Sequence, residues 1–232
     1  CIFCIYFFDW KLASWSYRVT LIAFGVNHNT ASVELRERLS RIVTADNFLE
    51  HVSLSEDIHE CVVLSTCNRV EIYAVVSQTL TEERFFANFL LQELTRERDH
   101  FYSYTSEDVV RHLFRVVSSL DSMILGENQT LSQTRAAYHL SVERTCIGAI
   151  LRRLFERAFK LAKEVRTHTG ISEGAVSIGR AGVDLAQQVL GDLSAVSALI
   201  IGAGEHGQLV ANNMKNQGLN NITIANRTVD RA

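Results

Sequence analysis

The chain has 232 residues, of which 47% are apolar, and its formal net charge is −3 at pH 7. This length and apolar content predict one or two folded domains with a substantial core. The charge excludes the overall basic field of a general nucleic-acid binder, although it allows one basic face. Five scattered cysteines, an odd number, exclude a secreted disulfide framework.

The first 18 residues differ from the rest of the chain. They begin with an apolar run, but Asp9 and Lys11 interrupt it before the ~20 residues that a membrane-spanning helix needs. The basic start and the cleavage site of a signal peptide are also missing from this stretch. We expect residues 1–18 to be extraneous or disordered, with a short membrane anchor as the alternative.

The next stretch has the pattern of an α+β domain. Strands are predicted over 19–26, on both sides of Cys67, and over 101–104, with helices over 32–39, 45–52 and 79–94. This β-α-β-β-α-β order is typical of a ferredoxin-like, split βαβ domain. Such a fold would place residues 27–30 beside the turn that carries Cys67.

Residues 105–172 are predicted to be almost wholly helical. One helix contains Leu113, Val116 and Leu120 as its apolar stripe, and a longer helix over 147–166 has apolar residues spaced by four and three. The polar side of the longer helix carries Arg153, Arg157, Lys160 and Lys163. Two interpretations of these four cations stay open, a solvated helix face and a contact with an RNA backbone.

The last part of the chain predicts the opening βαβ unit of a Rossmann domain. A buried-type strand over 196–201 runs into a glycine-rich turn, followed by a helix over 205–216 and a strand over 221–225. A doubly wound sheet needs more strands than these. The expected organisation is a catalytic domain over 19–172, divided into a ferredoxin-like part (19–104) and a helical part (105–172), then an incomplete Rossmann domain over 173–232.

A lone cysteine in a polar turn is the clearest chemical signal. Cys67 lies between two strand-like segments, and Arg69 follows two residues later. A thiol in this position can attack an electrophile whose carboxylate the guanidinium holds. The alternative is a structural thiol beside a surface arginine. Cys61, inside the preceding strand, and Cys146, at a helix start, are interpreted as packing residues.

The segment Thr66-Cys67-Asn68-Arg69 resembles the active-site loop of the glutamyl-tRNA reductase family. Three further segments resemble the same family in the same order, namely residues 25–37, 112–133, and 202–207 with 225–228. The resemblance implies NADPH-dependent reduction of glutamyl-tRNA to glutamate-1-semialdehyde, the first step of five-carbon tetrapyrrole biosynthesis. In that chemistry a cysteine attacks the ester carbonyl, releases tRNA and leaves a thioester that accepts hydride.

The resemblance also implies roles for individual residues. The catalytic residues are Cys67 and His112, although the helical pattern alone favours a packing histidine at position 112. The substrate-binding positions are Thr66, Asn68, Arg69, Ser122, Glu127, Asn128, Gln129 and Gln133. Ser32 and Asn128 stand where the family usually has proline, and Ser119 stands where it commonly has glycine.

Residues implied to bind the cofactor are Gly202, Ala203, Gly204, Glu205, His206, Gly207, Asn226, Arg227 and Thr228. A glycine-rich turn at a helix N-terminus suits a pyrophosphate. NAD enzymes place an acidic residue after the second strand to bind the ribose, but this chain has Asn226-Arg227-Thr228 there. A cation with two donors suits a 2′-phosphate, so the residues and the resemblance both predict NADPH.

The implied partners are glutamyl-tRNA, a second copy of the chain through a region beyond residue 232, and glutamate-1-semialdehyde aminomutase. The implied location is cytoplasmic, without a membrane, and we expect that these 232 residues do not complete the reduction alone. A cysteine-dependent semialdehyde dehydrogenase would place its cysteine after the nucleotide domain, unlike Cys67. The alternative from another class is a non-catalytic remnant that binds tRNA or a partner.

Overall fold

A computed structural model describes residues 19–43, 48–50, 52, 55–80, 84, 97–123, 125–127, 129–172 and 178–228. Residues 1–18, Asn128 and most of the helices predicted over 45–52 and 79–94 lie outside the described residues. The elements of the described ranges, in chain order, are β1 (Val19–Asn27), α1 (Val33–Ile42), β2 (Ile58–Ser65), β3 (Arg69–Ser77), β4 (Tyr102–Thr105), α2 (Glu107–Val117), α3 (Gln129–Glu143), α4 (Ala149–His168), α5 (Ile178–Leu190), β5 (Ser197–Ile201), α6 (Glu205–Asn216) and β6 (Asn221–Ala225).

The first sheet has four strands in the order β2-β3-β1-β4, with antiparallel neighbours throughout. This is the strand order of a split βαβ, ferredoxin-like domain, as the sequence predicts. In the β1–β3 ladder Asn27 lies opposite Arg69, and in the β2–β3 ladder Ser65 lies opposite Val70. The end of β1 and the turn that carries Cys67 therefore meet at one edge of the sheet.

Strand β3 is buried along nearly its whole length because helices and loops cover both of its faces. Val70, Ile72, Ala74 and Val76 pack in one apolar cluster with α1, whereas Tyr73 and Val75 pack in another with α2 and α4. Successive side chains of a strand point to opposite faces. Arg69 and Glu71, like Tyr73, therefore lie on the face that α2 and α4 cover.

Helices α2 and α4 cover the sheet through regularly spaced apolar residues. Leu151, Phe155, Ala158 and Ala162 of α4 are buried, at the spacing of one helical face. The Glu60 carboxylate of β2 accepts hydrogen bonds from the first backbone N–H groups of α4, those of residues 150 and 151, at 3.0 and 2.6 Å. This anchors the helix start, because the N-terminus of a helix favours a negative charge.

One detail of the predicted helical part is wrong. Leu120 was expected to extend the apolar stripe of α2, but it is 45% exposed. The helix ends at Val117, and the chain turns away at Ser119, whose φ is +57°. Helical spacing therefore no longer applies at Leu120.

The second sheet contains β5 and β6, which pair in parallel and are connected by α6. Val183, Leu193 and Leu219 form its small buried cluster. The predicted fold class, α+β followed by a Rossmann-type βαβ unit, is therefore confirmed. Among the described helices, none combines the length and the apolar character required to cross a membrane.

Candidate active site

The turn between β2 and β3 presents Cys67 to solvent. The Thr66 hydroxyl folds this turn by accepting hydrogen bonds from the backbone N–H groups of Asn68 (3.2 Å) and Arg69 (3.1 Å). From α1, the Arg36 guanidinium donates to the Cys67 carbonyl at 3.1 Å. The backbone under the thiol is thus fixed from two sides.

The other two described cysteines lack this setting. Cys61 and Cys146 are both buried, and burial raises the pKa of each thiol above its ordinary value. A protonated, buried thiol is a poor nucleophile. Among the three described cysteines only Cys67 is exposed, which confirms the interpretation of the other two as packing residues.

Arg69 is not a surface arginine, because only 2% of it is exposed. Its guanidinium donates to the Glu71 carboxylate at 2.7 Å and to the Asp121 carboxylate at 3.1 Å, and also to the Asp121 backbone carbonyl. These bonds connect the Cys67 turn with the segment that follows α2. Asp121 lies 52 residues away in the sequence.

Glu71 is a buried carboxylate at the centre of the site. It accepts hydrogen bonds from His112 Nε2 (3.0 Å), from the Tyr73 hydroxyl (2.5 Å) and from the Tyr102 hydroxyl. Burial alone would raise the pKa of Glu71, but Arg69 and the bonds from His112 and Tyr102 outweigh it and hold this pKa well below its ordinary value. Glu71 is therefore ionised at neutral pH.

His112 projects from α2 into this network, where it is 7% exposed. Because the ionised Glu71 can only accept, the bond between them places a proton on Nε2 of His112. The Tyr104 ring lies against the imidazole, with 4.7 Å between ring centroids. His112 is thus held in a fixed orientation and connected to the Cys67 turn through Glu71 and Arg69.

A second network holds the segment over 119–127. Arg166 of α4 donates to the Ser119 hydroxyl at 3.0 Å and to the Glu127 carbonyl at 2.9 Å, and the Ser119 hydroxyl donates to the same carbonyl at 2.6 Å. Thr130 donates to the Glu127 carboxylate at 2.7 Å and lies 3.1 Å from the Ser122 hydroxyl. Ser122 and Glu127 are therefore brought together through Thr130.

Gln129 and Gln133 are partly buried on α3, and Asn68 is partly buried in the turn. Ser32, where the family usually has proline, serves as the N-cap of α1, and its hydroxyl accepts from the Leu35 backbone N–H at 3.3 Å. This substitution therefore keeps the helix start intact.

The sequence analysis gave no role to several residues of the site, among them His28, Glu71, Asp121 and Arg166. Glu71 had a detectable signal, because a carboxylate inside the apolar run from Val70 to Val76 must find a buried partner. For Asp121 and Arg166 no local pattern distinguishes a site residue from a solvated one. His28 lies beside the Cys67 turn, in the segment over 27–30.

The glycine-rich turn before α6 needs glycine at two positions. Gly202 has a φ of +107°, which favours glycine, and a Cβ on Gly207 would lie 2.0 Å from the Gly202 carbonyl oxygen. Asn226 closes the turn, since its side chain accepts from the Ala203 N–H at 3.3 Å and donates to the Thr228 carbonyl at 2.7 Å. Arg227 stays exposed beside the turn.

Comparison with known proteins agrees with this architecture. Residues 24–169, more than half of the chain, match the family model of the glutamyl-tRNA(Glu) reductase N-terminal domain. The chain belongs to the glutamyl-tRNA reductase family. Residues 184–232 match the family model of shikimate/quinate 5-dehydrogenase, so the βαβ unit is of the nucleotide-binding type.

Individual relatives support the family assignment. Glutamyl-tRNA reductase of Citrifermentans bemidjiense is 42% identical over 219 residues, which cover 92% of this chain and 50% of that protein. The Nitratidesulfovibrio vulgaris enzyme is 43% identical over 89% of this chain and 48% of its own length. The solved Methanopyrus kandleri structure matches with a TM-score of 0.56 at 34% identity, over 91% of this chain and 50% of that one. The chain thus spans about half the length of these relatives.

Proposed function

We propose that this chain carries out the thiol chemistry of NADPH-dependent reduction of glutamyl-tRNA to glutamate-1-semialdehyde, the first step of five-carbon tetrapyrrole biosynthesis. The observation that carries the proposal is the exposed Cys67 on a turn that hydrogen bonds connect, through Arg69 and Glu71, to the oriented His112. Membership of the glutamyl-tRNA reductase family supports the choice of substrate.

The proposed reaction begins at the Cys67 sulfur. It attacks the ester carbonyl carbon of glutamyl-tRNA, a C–S bond forms, and the bond from that carbon to the ribose oxygen breaks. The thiol proton passes to the departing ribose oxygen, so tRNA leaves with its hydroxyl restored. We assign His112 to proton transfer during this exchange, because a neutral imidazole has one nitrogen that donates a proton and one that accepts.

We further propose that the glutamyl group is bound by the positions that the family resemblance implies, namely Ser122, Glu127, Gln129, Gln133, Asn128, Thr66 and Asn68. Arg69 would hold its side-chain carboxylate with donors that Glu71 and Asp121 do not use, since a guanidinium has five N–H donors. The proximity of Ser122, Glu127 and Thr130 supports this assignment. Thr66 contributes mainly by shaping the turn.

NADPH is the cofactor that the second unit fits best. The turn over 202–207 would hold its pyrophosphate, and the exposed Arg227 would bind the 2′-phosphate. The bound cofactor would supply the hydride that reduces the thioester. The resemblance alone supports two further partners, a second copy of the chain and glutamate-1-semialdehyde aminomutase.

The test is to mix the chain with glutamyl-tRNA and to locate the acyl group by mass spectrometry of the quenched protein. We expect a glutamyl adduct on Cys67, absent from Cys67→Ser and retained in the control Cys146→Ala. Both substitutions are small, so circular dichroism should show a folded protein in each case. An adduct on Cys61 or Cys146 would refute the assignment. No adduct on the folded chain would favour a non-catalytic, tRNA-binding role instead.

A further inference from the structure

His28 has a ring nitrogen that lacks a partner at the edge of the candidate site. Its Nδ1 is buried and makes no hydrogen bond among the described residues. Leaving such an atom unpaired costs free energy, so native proteins rarely tolerate it without a functional reason. A bound ligand that supplies the missing partner would account for the cost.

The position of His28 is fixed by its neighbours in the turn after β1. Asn27, directly before it, lies opposite Arg69 in the ladder. The Asn27 carbonyl accepts from the N–H groups of Thr30 (3.1 Å) and Ala31 (3.0 Å), which closes the turn. His28 is therefore held beside the Cys67 turn rather than pointing freely into solvent.

Charged groups of the site surround this imidazole. Burial and the nearby Arg69 lower the pKa of His28, Asp121 raises it, Arg36 lowers it and Glu127 raises it, with a net lowering. The ring is therefore neutral at neutral pH and can donate one hydrogen bond to an anion. The four charged residues come from β3, α1 and the segment over 119–127, which are the elements that build the site.

Arg36 strengthens the case for an anion. It is 7% exposed, and its described hydrogen bonds go to the backbone carbonyls of Cys67 and Ala31, not to a carboxylate. Arg69 differs, because Glu71 and Asp121 already balance its charge. Asp121 and Glu127 also act on His28, so the charges around this ring are mixed. Arg36 nevertheless has no carboxylate among the acceptors of its described hydrogen bonds, and a ligand carboxylate would supply one.

We propose that His28, supported by the charge of Arg36, binds the side-chain carboxylate of the substrate's glutamyl group through Nδ1 and thereby distinguishes glutamate from glutamine. This inference rests on the proposed function, and it adds His28 and Arg36 to the carboxylate site proposed for Arg69. Glutamine carries a neutral amide at the same place, which cannot balance the Arg36 charge. His28 is thus a specificity-determining residue.

The test compares acylation of Cys67 by glutamyl-tRNA and by the same tRNA charged with glutamine, in single-turnover experiments on the whole chain. His28→Leu should slow acylation by the glutamyl ester about 10- to 100-fold, the value of one charge-assisted hydrogen bond. It should change the rate of acylation by the glutaminyl ester by no more than about twofold, so that the preference for the glutamyl ester is lost. His139→Asn, an exposed histidine on α3, is the matched control and should behave as wild type.

Two further variants distinguish the roles of the two ring nitrogens of His28. An asparagine amide occupies the place of Nδ1 and a glutamine amide that of Nε2, so His28→Asn should keep more discrimination than His28→Gln. The thermal unfolding midpoint of His28→Leu should lie at or above that of wild type, because no hydrogen bond is lost. A fall in both reactions by the same factor, or unchanged discrimination in His28→Leu, would overturn the proposal. If wild type shows no acylation at all, the proposed function itself fails.

Discussion

The Glu71 carboxylate makes the stability of the folded chain depend on pH. Its ionised form is favoured in the folded chain, because Arg69 and His112 hold its pKa below the ordinary value of 4.5 despite the opposing effect of burial. A carboxylate with a depressed folded-state pKa stabilises the fold above its unfolded-state pKa. That stabilisation is lost as the pH falls from 4.5 toward the lower folded-state value.

We predict that Glu71→Gln lowers the free energy of unfolding at pH 7 by about 3–5 kcal/mol, since it leaves the buried Arg69 poorly compensated. The difference from wild type should shrink as the pH falls below 4.5, where wild type begins to lose the same contribution. Urea unfolding between pH 7 and pH 3 measures this difference. A difference that stays constant over this range would show that the Glu71 charge does not stabilise the fold.

Arg227 is a residue whose proposed role can be tested without any reaction. We predict that Arg227→Asp removes the preference of the chain for adenosine 2′,5′-bisphosphate over adenosine 5′-monophosphate, a change of about tenfold or more for one charge-assisted contact. Arg227→Lys keeps the charge and should keep part of the preference. Isothermal titration measures both affinities, and equal affinity ratios in wild type and Arg227→Asp would mean that the 2′-phosphate is not recognised here.

At the scale of elements, the segment over 119–127 depends on Ser119 in two opposing ways. Its hydroxyl bonds the Glu127 carbonyl and receives a bond from Arg166. Its φ of +57°, however, lies in the left-handed region, which costs a non-glycine residue about 1–2 kcal/mol. The glycine that the family commonly has here would avoid this strain.

A pair of substitutions separates these effects. Ser119→Ala removes the hydroxyl and keeps the strain, whereas Ser119→Gly removes both. We predict that Ser119→Gly is the more stable of the two by about 1–2 kcal/mol, measured by urea unfolding. Equal stabilities would show that the left-handed conformation relaxes in the variants and stores no strain.

The structure of the same segment was only partly predictable from the sequence. The sequence resemblance identified Ser119 as a glycine position. Hydrophobic spacing predicted that residues 105–172 are almost wholly helical, but α2 ends at Val117 and α3 begins only at Gln129. The positive φ and the bonds from Arg166 did not follow, because they depend on α4, a helix that begins 30 residues further along the chain. Leu120 was misplaced for the same reason.

For the whole molecule, the strand order and the position of Cys67 could be predicted, because alternating apolar runs and polar turns are local signals. The networks around Cys67 could not. Arg69 pairs with Asp121, 52 residues away, and Glu71 pairs with His112, 41 residues away. Such pairs depend on how α2 lies across the sheet, which one sequence does not specify. Nor does any sequence pattern indicate that Nδ1 of His28 is buried without a partner in the part of the chain that the structure describes.

The two-faced burial of β3 constrains how the length of this chain can change. Inserting one residue into the turn over 66–68 would exchange the faces of β3 if the strand shifted by one position in its ladder, because strand side chains alternate. Arg69 and Glu71 would then enter the apolar cluster under α1, while Val70 and Ile72 would face His112. A single-residue insertion or deletion at this turn is therefore more damaging than most substitutions in it. The turn can vary in residue type far more readily than in length.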